Sequence, residues 1–249
     1  MVRISFDMDG VLADMETALA AIAEQEFGVA IRKAAAPEDE PNAVATDGSA
    51  TALAGTAAAH SHHEPSSAAI LASLSSRQHS RLWERVAATR NFWETLGEHE
   101  TGTVQHLQKL ALELRWDVIF VTQRPATAGR TIQIQTQRWL RRHGFEYPSV
   151  YTTQGSRGRI AAALTLDAHV DDRLEHCVDV STDSKAWPIL VWRDAESFAR
   201  IGSGAKKLNI AAVPTVREAI DHVEEADRGG AARKSTRSLL DRLKRSFGR

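Results

Sequence analysis

The chain has 249 residues, 43% of them hydrophobic and 25% charged, with a formal net charge of −1. That size and composition suit one large globular domain, or a core carrying an inserted segment, and the near-zero net charge supplies no global field toward nucleic acid or a membrane. No run of about 18 apolar residues could span a bilayer, and the single cysteine, Cys177, excludes an internal disulfide, so a soluble, cytoplasmic protein without a leader is expected.

The first element in the chain is "VRISF" (2–6), which reads as a buried strand and runs into Asp7-Met8-Asp9-Gly10. Carboxylates at the end of a buried strand are costly unless a cation or hydrogen-bond donors compensate them. The plainer alternative is a polar turn on Asp9-Gly10. Residues 15–27 then read as a helix, and 68–88 as another, with Ile70, Leu71, Leu74, Leu82, Trp83 and Val86 near helical spacing. Between them, 34–67 is rich in Ala, Ser, Thr, Gly and Pro without an aromatic residue. Such a stretch cannot bury enough apolar area to offset chain entropy, so a mobile loop is expected there. His60, His62, His63 and Glu64 lie within it, and their spacing fits no strong zinc pattern. With no convincing strand from 15 to 99, the interval reads as a helical insertion.

Regular alternation follows. Val104, Leu107, Leu110, Ala111 and Leu114 form one apolar helix face. The strand "DVIFVT" (117–122) ends in Thr122, followed by Gln123, Arg124 and Pro125. Next come the strand "SVYTT" (149–153), a helix opening at "GSRGRIAAAL" with Arg157 and Arg159, and the strand "DAHV" (167–170) leading to Asp171-Asp172-Arg173. "PILVW" (188–192), "NIAAV" (209–213) and a helix face of Val216, Ala219, Ile220 and Val223 complete the pattern. Strands alternating with helices predict an α/β fold with a mostly parallel sheet covered on both faces. Ligands of such sheets bind beyond the carboxyl ends of the strands. There the predicted topology gathers Asp7, Asp9, Thr122, a basic pair and Asp171-Asp172. Individually, Thr122 and Asp171-Asp172 could be helix caps, but caps need no such convergence.

These four motifs, in this order, resemble the haloacid dehalogenase-like superfamily of phosphohydrolases, over residues 1 to about 226. The resemblance implies a Rossmann-like core from 1–14 and 100–226, a small helical cap over 15–99 with its loop at 34–67, and a basic tail at 227–249. It implies that Asp7 is the nucleophile forming an aspartyl-phosphate and Asp9 the acid and base. It further implies Mg²⁺ held by Asp7, the carbonyl of Asp9 and Asp171, with Asp172 ligating the metal or orienting its water. Thr122 would bind a phosphoryl oxygen, and Arg157 or Arg159 would neutralise it where the family usually has Lys. Oxygen ligands with an open position suit Mg²⁺, and an anionic nucleophile needs this neutralisation to attack a phosphate dianion. Gln123 and Arg124 would touch phosphate or serve the surface. "NFWETL" (91–96) resembles the cap exit of the 5'(3')-deoxyribonucleotidase branch, where Phe92 and Trp93 either stack on a base or pack in the cap core with Trp83. The expected activity is hydrolysis of small phosphomonoesters, nucleotides among them. The alternatives are phosphotransfer, as in a sugar phosphomutase of this fold, and a catalytically weak phospho-ligand binding module. Residues 228–249 carry a charge of +7, with Leu239, Leu240, Leu243 and Phe247 on one helical face. This is either a solubilising terminus or a weak contact for an acidic partner, nucleic acid or lipid headgroups.

Overall fold

The computed structural model describes residues 2–28 and 74–229. The loop 34–67 with its histidines, and the tail beyond 229, lie outside the described residues. In chain order the elements are β1 (Arg3–Phe6), β2 (Ala13–Asp14), α1 (Met15–Phe27), α2 (Ser76–Ala88), a 3₁₀ turn (Phe92–Glu94) and β3 (Gly97–Glu98). Then come α3 (Thr103–Leu114), β4 (Asp117–Thr122), α4 (Ile132–Arg142), β5 (Ser149–Thr152), α5 (Arg157–Ala163) and β6 (Ala168–Asp171). The chain continues through α6 (Leu174–Asp183), β7 (Trp187–Val191), α7 (Ala195–Lys207), β8 (Ala211–Val213) and a last helix, α8, over 216–229. Among the described residues no helix is long and apolar enough to cross a membrane.

Six strands form one sheet in the order β5-β4-β1-β6-β7-β8, every neighbouring pair parallel. The protein is therefore α/β and Rossmann-like. Alternate residues explain its two covered faces. Ile4, Phe6, Phe120 and Val170 join Val104, Leu107 and Leu110 of α3 and Val216, Ala219, Ile220 and Val223 of α8 in the main core. On the opposite face, Leu190 packs with Cys177 and Ala205, and Ile119 packs against Ala161 and Val180.

The insertion differs from the sequence expectation in one respect. It contains no strand by periodicity, yet Ala13–Asp14 pairs antiparallel with Gly97–Glu98. Two residues are too few to carry a period-two signal. This short ladder brings the chain back beside the point where it left. Asp14 caps α1 by accepting from Thr17 N, and Ser75 and Gln78 form a capping box on α2.

One glycine governs how closely α5 and α6 pack. A Cβ on Gly158 would collide with the backbone carbonyl of Asp179 and the side chain of Asp183. The Asp179 carboxylate in turn accepts from Ser156 Oγ at 2.6 Å and Gly158 N at 3.0 Å, tying down the start of α5. Gly158→Ala is expected to destabilise the fold by about 1–3 kcal/mol, as overpacking does. A chemical denaturation midpoint equal to the parent's would contradict this.

Candidate functional site

Strand order reverses at β1: the chain builds β4 and β5 on one side, then crosses to place β6, β7 and β8 on the other. Such a reversal leaves a crevice at the carboxyl ends of the strands. Phe6 is in register with Phe120 and Val170, so Asp7, Thr122 and Asp171 emerge from three adjacent strands. Asp7 is 7% exposed, and its backbone N–H still donates to Val170 O at 2.9 Å. Immediately after it, Leu12 N and Ala13 N both donate to Met8 O, closing a tight turn. Gly10 takes a left-handed conformation there (φ +78°), and a side chain on it would collide with the Asp172 carboxylate. The glycine is what lets Asp172 come down onto the turn.

Arg157 decides between the two candidate basic residues. Its Nη2 donates to Asp7 Oδ1 at 2.9 Å and its Nε lies 3.8 Å from Asp171 Oδ2, with the guanidinium almost fully buried. Arg159, two residues along the same helix, is exposed and outside the site. Arg157 Nε and Nη1 and Thr122 Oγ1 are buried without a hydrogen-bond partner among the described residues. Thr122 is not a cap, since α4 begins ten residues later and is capped by Thr131. Unsatisfied buried donors are rare and costly, and these belong to the arginine that bonds Asp7 and to the strand end beside it.

Arg124 takes neither of the two roles expected for it, whereas Gln123 takes the surface one. Arg124 is buried and grips Asp9 with two hydrogen bonds, 2.7 Å from Nε and 2.5 Å from Nη2. Its Nη1 donates to Thr136 at 2.9 Å and its guanidinium stacks 4.7 Å from the Trp93 ring. Arg124 therefore holds a site carboxylate and presents no open fork to a phosphate. Gln123 is exposed and donates to Gln154 at 2.7 Å. Phe92 and Trp93 are 3% and 0% exposed. They pack edge to face at 5.0 Å in the same core cluster that Trp83 flanks. Their rings are covered, so neither offers a face to a base here.

Asp171 sits at the centre of a buried polar chain that the sequence reading did not find. Ser5 Oγ lies 2.7 Å from His169 Nδ1, and His169 Nε2 lies 3.1 Å from Asp171 Oδ2. His176 Nδ1 reaches the same carboxylate at 2.9 Å, and Arg173 N donates to it at 2.9 Å. Arg193 was missed as well. Its guanidinium donates to the carbonyls of Gly10 and Val11 and pairs with Glu100 at 3.0 Å. His169 stands two residues before Asp171, on the same strand face, which was the available signal for it. Nothing local marks Arg193.

Charge is poorly balanced in the crevice. Burial pushes the Asp7 carboxyl well above its usual range, repulsion from Asp171 adds to this, and Arg157 only partly opposes it. Asp172, partly open to solvent, is pushed up to about 8 by burial and by Asp171. Burial opposes the charge of Asp171 too, but the bonds from His169 and His176 outweigh it and keep that group well below the usual carboxylate range. The carboxylates at this edge are oxygen donors of the type a hard divalent cation takes. The side chains do not form a closed cage, however: among the described residues no three His, Cys, Asp or Glu stand arranged around one point.

A pH dependence follows from these shifts. Groups raised in the folded state contribute stability at low pH and lose it as pH rises through the folded value. For Asp172 the window runs from about pH 4, where the unfolded carboxyl ionises, to about 8. In EDTA, the melting temperature of the parent is expected to fall relative to Asp172→Asn across that window. Asp171, shifted the other way, acts below it. A difference that stays flat or rises with pH would contradict the assignment.

No protein-family model matches the chain, and no curated protein is similar enough to count as a match.

Proposed function

We propose that the protein is a Mg²⁺-dependent phosphatase acting on small phosphomonoesters through an aspartyl-phosphate on Asp7, as a member of the haloacid dehalogenase-like phosphohydrolases. The observation that carries the reading is the set of unpartnered buried donors, Thr122 Oγ1 and Arg157 Nε and Nη1, beside a buried carboxylate. They supply what a bound phosphoryl group requires: hydrogen bonds and positive charge in a site with little water. Asp7 attacks phosphorus, the ester P–O bond breaks, and the departing oxygen takes a proton from Asp9. Asp9 then accepts a proton from the water that attacks the aspartyl-phosphate, releasing phosphate and restoring Asp7. Arg157 stays with the phosphoryl oxygens throughout, and Arg124 orients Asp9. Mg²⁺, held by Asp7, Asp171, Asp172 and the Asp9 carbonyl, would supply the remaining charge neutralisation.

A second reading is a phospho-ligand binding module. The ion pairs of Asp7 with Arg157 and Asp9 with Arg124 favour it, because both carboxylates are already engaged. A substrate panel beginning with p-nitrophenyl phosphate, run with Mg²⁺ and with EDTA, separates the two. Turnover that EDTA abolishes supports the phosphatase. Saturable phosphate binding without turnover leaves the binding module.

A further inference from the structure

A second phosphate-seeking feature lies on α4, away from the sheet crevice. Arg138, Arg141 and Arg142 stand at i, i+3 and i+4, so they share one face of the helix, while Trp139 and Leu140 are buried. Among the described residues, those three arginines line a hollow of about 330 Å³. The carboxylate that pairs with them is Glu94, which is almost buried and is already shared among Arg138 at 3.0 Å, Arg130 at 3.6 Å and Arg142 at 3.8 Å. Among the described residues Arg141 makes no ion pair within 4 Å, the acid nearest to it in the lining being Glu146. Among the described residues, two carboxylates, Glu94 and Glu146, face four guanidiniums, which leaves a surplus of positive charge.

A second hollow, of about 590 Å³, adjoins the first through Arg138 and Arg141. Its lining adds Tyr147, Pro148 and Ile134, with Glu146 as its one acid. Tyr147 is 87% exposed, unusual for a large aromatic side chain and available for stacking. Guanidiniums beside an open aromatic face and an apolar wall are the combination that takes a backbone phosphate together with an unstacked base. A peptide of acidic residues alone would use the charge but bring no ring to the aromatic hollow.

We infer that this face of α4 and the 146–148 turn bind single-stranded nucleic acid, a phosphate lying in the arginine hollow and a base against Tyr147. The inference is independent of the chemistry at Asp7. It is tested by fluorescence anisotropy of the full chain with a labelled oligothymidylate at several salt concentrations. Arg141→Ser is expected to weaken binding and to flatten the log–log salt slope by about 0.7, the value of one single-strand phosphate contact. Tyr147→Ala is expected to weaken binding by roughly five- to 150-fold, the range for one lost stack of about 1–3 kcal/mol, without changing the slope. Both side chains are exposed and remote from Asp7, so hydrolysis of p-nitrophenyl phosphate should be unchanged in both variants. The inference is overturned if the parent does not bind the oligonucleotide, or if both variants bind it as the parent does, which would move the contact to the basic tail. Equal affinity for a poly-glutamate peptide would also overturn it, marking instead a surface for acidic proteins.

Discussion

Asp7→Asn is expected to abolish hydrolysis of p-nitrophenyl phosphate, a loss on the order of 10⁴–10⁶-fold in kcat, the scale seen when a covalent nucleophile is removed. An amide cannot form the acyl-phosphate. The variant should nonetheless fold. Its amide oxygen can still accept from Arg157, and the substitution removes a charge that burial and Asp171 both disfavour. Melting temperature measured beside activity separates lost chemistry from lost structure. Asp9→Asn should lose less, roughly 10²–10⁴-fold, since it removes proton transfer but spares the nucleophile. Turnover by Asp7→Asn within tenfold of the parent would remove Asp7 from the chemistry and the phosphatase reading with it.

The second large effect is expected at Arg157. Arg157→Ala takes from the crevice the guanidinium that bridges Asp7 and Asp171, with its two donors that have no partner among the described residues. Losing one such preorganised donor costs roughly 10²–10³-fold, and kcat/KM should fall by at least that factor. The loss has a structural part too. With the cation gone, Asp7, Asp171 and Asp172 repel one another in a buried site, so the variant should also be more stable at acid pH than at neutral pH when EDTA is present. Arg159→Ala is the internal control. Its side chain is exposed, and both activity and stability should stay near the parent's. Equal losses in the two variants would mean that the start of α5, rather than the Arg157 charge, is what matters.

Much of the framework was legible in the order of the residues. "DVIFVT" forms β4 over the same six positions, and the other five predicted strands lie within one or two residues of those observed. The reason is local: a short apolar run between polar turns, alternating with helical periodicity, has few ways to bury itself other than in a parallel sheet. The apolar face read at Val216, Ala219, Ile220 and Val223 is buried as expected. Because strand ends converge by topology, the grouping of Asp7, Thr122 and Asp171 was readable before any contact was known.

What the tertiary structure alone decided are the partners of those residues. Two positions apart on a helix, Arg157 and Arg159 point in widely different directions, and which one faces Asp7 depends on how α5 lies against α6 at Gly158. Arg124 follows Thr122 in sequence as a phosphate ligand would, yet it turns back to Asp9 because Thr136, twelve residues on in α4, and Trp93, from the 3₁₀ turn, hold it there. Phe92 and Trp93 could be stacking residues or core by composition, and packing against α4 and the main cluster buries them. Ser5, His169, His176 and Asp171 come together from two strands and a helix, and Arg193 reaches the turn at Gly10 from the other side of the sheet. Sequence determines which side chains end at the same edge of a sheet, because strand direction and period are local properties. Which of them touch is set by side-chain reach and helix packing, for Arg157 with Asp7 and Arg193 with Gly10 across more than a hundred residues, which no local pattern encodes.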